Sequence, residues 1–350
     1  MIKENVAGFA DMIVEKRKVK EAFFKQIDTI INWKQIDKEI KKYYRKGQSV
    51  DGRPSYSGLV LFKICLLQTW YCLSDYEVEE QVNDRISFSR FVGISMDDKS
   101  PDHSVMSRFR TSMTNKKAYN KLLKMINKQL EEKQIIVKTG LLVDASVTDT
   151  PRKPKGKKEY EIVEDRKEEE GVEVSSISLQ ELPKRGVDGD AKWLKKGGKL
   201  HYGYKQHVGT DENGMIRVVI TTAANESDIK HLEDVIEAVD DFDHRAWIKA
   251  DKGYQCATND QVIKTKKMRN HIMHKALKKK PLTKYEKLFN RLVSKIRYRV
   301  ERSFGSMRRW FGGGRARYVG IEKMHTQHLM EAIAHNLYRA PAIAVSIRVK

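Results

Sequence analysis

Two short apolar runs that each lead into an aspartate constrain the fold of this chain more than any other feature. Residues 140–143 precede Asp144, and residues 246–250 precede Asp251. Each run has the length and continuity of a buried strand. A hairpin pattern and a helical pattern lie between them, and this order is typical of a mixed α/β sheet. If the two strands are neighbours, their carboxylates meet at one edge of that sheet.

The segment between the two acids is predicted in three parts. Residues 151–198 contain prolines and a mixed Lys and Glu run, so we expect a long, flexible insertion there. Residues 200–208 and 215–222 flank a turn at 211–214 and predict a hairpin. A helix capped by Asp228 should follow. A further strand is expected just before the first run, at 135–137.

The first third of the chain has helical spacing. It predicts helices before a group of breakers at 47–54, at 58–71, after Ser74, around Phe88, after Asp102 and at 116–133. We therefore expect three parts: a helical region at 1–134, an α/β domain at 135–340 and a tail at 341–350.

Net charge points to the partner. The chain has 68 Lys and Arg against 47 Asp and Glu, a formal charge of +21. Such an excess attracts polyanions, because each cation that meets a phosphate releases counterions. Nucleic acid is the favoured partner; a basic but unrelated enzyme and a ribosome-associated protein are the alternatives. The sequence has no apolar run long enough to span a membrane and no signal-peptide pattern, so we expect a cytoplasmic protein.

Two elements outside the acids are candidates for DNA contact. The helix after Asp102 could be the second helix of a helix-turn-helix, with Ser104, Arg108 and Arg110 facing base edges, or an ordinary amphipathic helix. Trp193 followed by Lys195-Lys196-Gly197-Gly198-Lys199 is an aromatic and basic-glycine element suited to a phosphate backbone.

A third acid, Glu301, lies within the most basic part of the chain. Residues 264–309 contain 17 Lys and Arg but only two acids. With Asp144 and Asp251 it would supply oxygen donors that suit Mg²⁺ or Mn²⁺ rather than zinc. Two such ions about 3.5 to 4 Å apart can drive phosphodiester cleavage. Taken singly, each aspartate could instead cap a turn, and Glu301 could simply pair with Arg297.

At these residues the sequence resembles the bacterial insertion-sequence transposases of the DDE class, and within it the insertion-sequence-five family. The resemblance covers most of the chain. It is carried by Asp102-His103-Ser104-Val105-Met106-Ser107-Arg108-Phe109, Asp144-Ala145-Ser146, Lys196-Gly197-Gly198-Lys199, Gly203-Tyr204-Lys205, Thr221-Thr222-Ala223-Ala224-Asn225 with Asp228, Ala250-Asp251-Lys252-Gly253-Tyr254, and the stretch from Arg297 to Arg308.

The family's third acid lies in a pattern Y-x-x-R-x-x-x-E, followed after six residues by K. Arg297 and Glu301 match it, but Ser294 stands where Tyr is expected and Arg308 replaces the Lys. On a helix, positions 297, 301 and 308 fall within about 40° of one another, so the three side chains share a face. Tyr298 lies one turn away from Ser294.

The resemblance implies an RNase H-like core, with the fold class α/β, preceded by an all-helical N-terminal DNA-binding region at 1–134. It also implies two Mg²⁺ ions, replaceable by Mn²⁺, that cleave transposon ends before the 3′-hydroxyl is joined to target DNA. Phosphates would be held by Arg297, Arg308, Lys199 and Lys205, and a homodimer would act on double-stranded DNA at the nucleoid.

Three rival interpretations follow from the same residues. Tyr254 could be the nucleophile of a tyrosine recombinase, although its ring could equally pack or stack on a base. The chain could be a silent, domesticated DNA-binding protein. It could also be a stand-alone RNase H-like nuclease.

Overall fold

A computed structural model of the chain describes residues 22–45, 55–95, 97–156, 160–169, 172–181, 185–277 and 280–348. The predicted breakers at 47–54 and the helical spacing before residue 22 lie outside this part of the chain. No helix within the described ranges is both long enough and apolar enough to cross a bilayer.

Within the described part of the chain, seven helices precede the sheet. They are α1 (Ala22–Ile30), α2 (Trp33–Tyr43), α3 (Gly58–Tyr71), α4 (Asp75–Asp84), α5 (Ile86–Val92), α6 (His103–Asn115) and α7 (Ala118–Glu132). The structure confirms two predicted helix starts: Ser74 and Glu77 form a reciprocal capping box at α4, and the Asp102 side chain caps α6. α3 is buried on nearly all sides, as its continuous apolar sequence predicts.

One six-stranded sheet follows. Its strands are β1 (Gly140–Asp149), β4 (Lys192–Lys196), β5 (Lys199–Thr210), β6 (Ile216–Ala223), β7 (Trp247–Ala250) and β8 (Arg269–Ile272). The order is β4-β5-β1-β7-β8, with β6 paired to β5. β1 is antiparallel to β5 and parallel to β7. This arrangement confirms the mixed sheet, the β5–β6 hairpin and the adjacency of the two apolar runs.

The insertion at 151–198 contains regular backbone within its described residues. β2 (Tyr160–Glu169) and β3 (Val172–Glu181) pair antiparallel and form a two-stranded sheet separate from the main one. β4 pairs with the start of β5 through a Gly197-Gly198 turn, in which both glycines have positive φ. That geometry is the one a two-residue hairpin turn requires.

Helices cover both faces of the sheet. Leu141 and Val143 pack on one face beneath α8 (Leu232–Glu237) and α9 (Ala257–Thr265). Leu142 packs on the other face, in a core shared with α1 to α7, α10 (Lys284–Trp310) and α11 (Ile321–Arg348). The Trp70 indole N–H donates to the Ala334 carbonyl at 3.0 Å, which ties α3 to α11. α11 also continues through the expected boundary at 341 to Arg348.

Two local predictions are wrong. Residues 135–137 form no strand: Ile135 and Ile136 are buried, but the Val137 N–H donates to the Asp211 side chain and not to a neighbouring strand. β1 does not end at Asp144 either, because residues 145–149 continue to pair with β5. A pattern of apolar residues does not indicate this continuation, because several of its side chains, such as Ser146 and Thr148, are polar.

The close approach of β1 and β7 depends on Gly140. A Cβ at this position would lie 2.2 Å from the Trp247 ring and 2.5 Å from the Trp247 carbonyl oxygen. We expect Gly140→Ala to lower the free energy of unfolding by about 1–3 kcal/mol, because the strands must separate to admit the methyl group. Urea unfolding measures this. Gly189→Ala, where a Cβ meets nothing within 4 Å, is the control, and an equal loss in both variants would contradict the explanation.

Candidate active site

The parallel pairing of β1 and β7 brings Asp144 and Asp251 to adjacent strands. Val143 pairs with Ala250, so the next residue of each strand is one of the two acids. Neighbouring strands lie about 4.8 Å apart. The aspartates therefore emerge side by side where the β1–β7 ladder ends, as the sequence predicts.

Glu301 approaches the same edge from α10. Arg297, one turn earlier on that helix, donates from Nη1 to Asp144 Oδ2 at 2.8 Å and from Nη2 to Glu301 Oε1. One guanidinium thus bridges an acid of the sheet and an acid of the helix. We call Asp144, Asp251 and Glu301 together the acidic edge.

The electrostatic environment of Asp144 is mixed. Burial raises the pKa of Asp144 above its ordinary value, and the charge of Glu301 adds to that rise. The cations of Arg297 and Lys196, together with a hydrogen bond from the Ala145 N–H, lower it. Lys196 lies at the end of the β4–β5 hairpin, so this exposed basic hairpin reaches towards the acidic edge.

Tyr254 follows Asp251 in a short 3-10 turn, Lys252–Tyr254, which Asp251 caps. Its side chain is only 2% exposed. Burial and the nearby carboxylates Asp228, Asp144 and Asp251 raise the pKa of its hydroxyl well above the ordinary value. A buried phenol that keeps its proton is poorly suited to be the nucleophile of a tyrosine recombinase.

Lys205 is not at the surface. Its ammonium lies 2.7 Å from Asp228 and donates to the Glu226 carbonyl at 2.6 Å, and the residue is buried. Asp228 begins a 3-10 turn, Asp228–His231, and its side chain pairs with Lys205 instead of capping a helix as predicted. The structure thus places Lys205 in a buried ion pair rather than in an open phosphate site.

Arg308 anchors β1 to α10. Its Nη2 donates to Ser146 Oγ at 2.7 Å and to the Val147 carbonyl at 3.1 Å. Taken as a whole, the residue is exposed. Ser294, at the position where the motif has Tyr, is exposed and donates to the Met273 sulfur.

The other predicted DNA contacts lie apart from the acids in sequence and on different elements. Arg108 is exposed on α6 and donates to Ser104. Arg110 instead forms a largely buried bidentate pair with Asp75 and also donates to Gln68. Trp193 and Lys199 are exposed on the β4–β5 hairpin.

The donor chemistry of the acidic edge fits a hard divalent cation, since all three side chains are carboxylates. Among the described residues, no three His, Cys, Asp or Glu side chains already converge as a metal site. In this structure the Arg297 guanidinium is bonded to both Asp144 and Glu301.

Comparison with known proteins agrees with this geometry. A model described as "Transposase DDE domain" matches residues 136–337, more than half of the chain. The chain belongs to the DDE transposase family. A model described as "Transposase domain (DUF772)" matches residues 12–112.

One relative is the transposase for insertion sequence element IS1106 of Neisseria meningitidis serogroup B. It is 37% identical over 235 residues, which cover 67% of this chain and 76% of the relative. No solved structure matches. The resemblance to insertion-sequence DDE transposases is thereby confirmed, and with it the RNase H-like α/β fold and a DNA transposase function.

Sequence reasoning misses two neighbours of the acids in this transposase. It assigns Asp228 to a helix cap and treats Lys196 only as part of a basic motif. The position of Lys205 inside β5, which is buried at every residue from Tyr202 to Thr210, is the one signal that points towards the Lys205–Asp228 pair.

Arg308 can be tested as an anchor of β1. Because it bonds a buried serine and a strand carbonyl, Arg308→Ala should lower the free energy of unfolding by about 1–2 kcal/mol. Arg309→Ala, at the next and exposed position, should change it by less than about 0.5 kcal/mol. Urea unfolding without DNA measures both. An unchanged stability in Arg308→Ala would leave phosphate binding as the sole use of this side chain.

Proposed function

We propose that this transposase cuts transposon ends by two-metal phosphodiester hydrolysis at Asp144, Asp251 and Glu301, and then transfers the 3′-hydroxyl end to target DNA. The observation that carries the proposal is the guanidinium of Arg297, which bridges Asp144 and Glu301 beside Asp251. Carboxylates from three different elements at one edge, with cations around them, are what such chemistry requires.

The three carboxylates are the residues that would hold Mg²⁺ or Mn²⁺. When bound, the ions would activate water and stabilise the leaving oxygen. While no ion is held, the single charge of Arg297 offsets part of the negative charge of Asp144 and Glu301. On release from them, its guanidinium is placed to contact a phosphate of the substrate.

The substrate is double-stranded DNA, both the terminal inverted repeats and the target. The nine Lys and Arg of α10 against two Glu supply phosphate contacts along the helix that carries Glu301. Arg308, on the same helix, would add a further contact. Trp193 and Lys199 would add contacts from the β4–β5 hairpin.

End recognition is assigned to the helical region. The exposed Arg108 and its half-buried partner Ser104 on α6 are the candidates for base contacts. Arg110 would act indirectly, because its pair with Asp75 fixes α6 against α4. A homodimer that brings two ends together at the nucleoid completes the proposal.

Cleavage and strand transfer of DNA carrying the element's own ends test the three acids. With Mg²⁺ or Mn²⁺ present, Asp144→Asn, Asp251→Asn and Glu301→Gln should each lower the rate of product formation at least about a thousandfold, since each removes a metal-binding charge. Binding of the ends, measured by mobility shift, should persist. Glu233→Gln, an exposed acid on α8, is the matched control.

The alternatives give different results in the same assay. Binding without cutting by the unaltered chain would favour a silent DNA-binding protein. Cutting without joined products would favour a stand-alone nuclease. Cutting that survives the three substitutions would refute the assigned site.

The bridge made by Arg297 predicts a link between metal binding and stability. Without metal, Arg297→Gln should lower the free energy of unfolding by about 1–3 kcal/mol, between the values for exposed and buried ion pairs. Added Mn²⁺ should stabilise this variant more than the unaltered chain, because the ion no longer competes with the guanidinium. Urea unfolding with and without Mn²⁺ measures both effects.

Arg291→Gln, an exposed position on the same helix, serves as the control and should respond to Mn²⁺ as the unaltered chain does. An equal Mn²⁺ effect in Arg297→Gln and in the unaltered chain would show that Arg297 does not compete for the carboxylates.

A further inference from the structure

The loop that joins α10 to α11, residues 311–320, has a backbone fixed against β1. The Asp149 N–H donates to the Gly314 carbonyl at 2.9 Å, and the Ala316 N–H donates to the Asp149 carbonyl at 2.8 Å. These bonds form a parallel bridge between Asp149 and Arg315. Gly314 has a φ of +128°, which residues with a Cβ rarely adopt, so the glycine allows the loop to enter this bridge.

Gln327 of α11 also holds the loop. Its side-chain oxygen accepts from the Arg317 N–H at 2.9 Å, and its amide donates to the Arg315 carbonyl at 2.9 Å. Ala316 is buried between two exposed arginines, Arg315 and Arg317. This alternation is typical of an extended segment, in which residues two apart lie on one side at a separation of about 6.6 Å. The loop therefore presents two neighbouring cations on a fixed backbone.

Both arginines line a groove of about 540 Å³ between the helical region and the α/β domain. The acids at the groove and at its border already have partners: Asp75 pairs with Arg110, Glu77 accepts from the Ser74 N–H, and Asp149 is bonded to His201. An anion in the groove would therefore meet carboxylates whose charge is already engaged within the protein.

The two guanidinium groups keep hydrogen-bond donors for a ligand. Arg317 donates from Nη1 to the Leu73 carbonyl at 3.2 Å, which ties the loop to the helical region. Within the described ranges, the Arg315 side chain makes no hydrogen bond or ion pair. A guanidinium carries five N–H donors in a planar fork that matches the oxygens of a phosphate. Phosphate is therefore the ligand that this pair of side chains fits best.

The position of the loop along β1 relates it to the acidic edge. Three arginines meet β1 in succession, by side chain or backbone, in the pairs Arg297–Asp144, Arg308–Ser146 and Arg315–Asp149. A strand advances about 3.3 Å per residue, so Asp149 lies about 17 Å along β1 from Asp144. One strand of DNA advances about 3.4 Å per phosphate. The loop is therefore about five base pairs from the acidic edge.

We propose that Arg315 and Arg317 form a phosphate-binding site for the DNA of the transposon end, about five base pairs from the position of cleavage. The proposal rests on the function assigned above and adds a contact between its two parts. The groove lies between the acidic edge and the helical region, to which end recognition is assigned. The DNA in the groove is for this reason the transposon end and not the target.

The first experiment compares Arg315→Gln with Arg245→Gln. Arg245 is exposed before the start of β7, at the end of that strand opposite Asp251. Binding of DNA that carries the element's own ends is measured by mobility shift at several salt concentrations. We expect Arg315→Gln to bind about tenfold more weakly, because a charged hydrogen bond is lost. Its slope of log affinity against log salt should fall by about one, with Arg245→Gln unchanged.

A second experiment tests the position of the contact. Duplexes carry one neutral methylphosphonate linkage, moved stepwise inward from the cleavage position. The unaltered chain should lose affinity when this linkage lies about five base pairs inside the element. Arg315→Gln should not respond to the same linkage, because its contact with that phosphate is already absent.

Equal affinity and salt slope in Arg315→Gln and in the unaltered chain would overturn the phosphate site. A linkage effect that persists in Arg315→Gln would overturn it as well. In both cases the proposed function stands if the unaltered chain still cuts and joins the element's own ends. If the unaltered chain neither binds nor cuts those ends, the proposed function fails and this site falls with it.

Discussion

The parallel pairing of β1 with β7 is the interaction on which the rest of the site depends. Both strands are buried on both faces, so hydrophobic burial fixes them at the centre of the sheet. Gly140 lets them approach, and their register places Asp144 next to Asp251. The other groups of the site are arranged around this pair. α10 packs on one face of the sheet, and the turn that contains Tyr254 packs on the other face.

Charge balance is the second constraint. Carboxylates crowded at a partly buried edge repel one another and lose hydration, and the fold offsets this with cations. Arg297 bridges two of the acids, and Lys205 neutralises Asp228 deeper in the structure. These two cations differ in exposure and in role. In the proposed mechanism Arg297 yields its carboxylates to the metal and contacts a phosphate instead, whereas Lys205 is enclosed and serves a permanent pair.

Local sequence signals predicted much of the fold, because they report interactions between near neighbours. The capping box at Ser74, the continuous apolar helix α3 and the β5–β6 hairpin all follow from such signals. The predictions are wrong where contacts between residues far apart in sequence determine the backbone conformation. β1 extends past Asp144 because β5 lies beside it, and residues 135–137 bury their side chains without pairing as a strand.

Residue spacing alone predicts the three acids of the proposed site, in the order strand, strand and helix, with the cation Arg297 one turn before Glu301. Spacing along one chain encodes these, since strand alternation and helical periodicity are local. Packing between distant elements determines which cations lie near the acids. It buried Lys205, brought Lys196 close and enclosed the Tyr254 hydroxyl, because these outcomes depend on how elements far apart in sequence pack together.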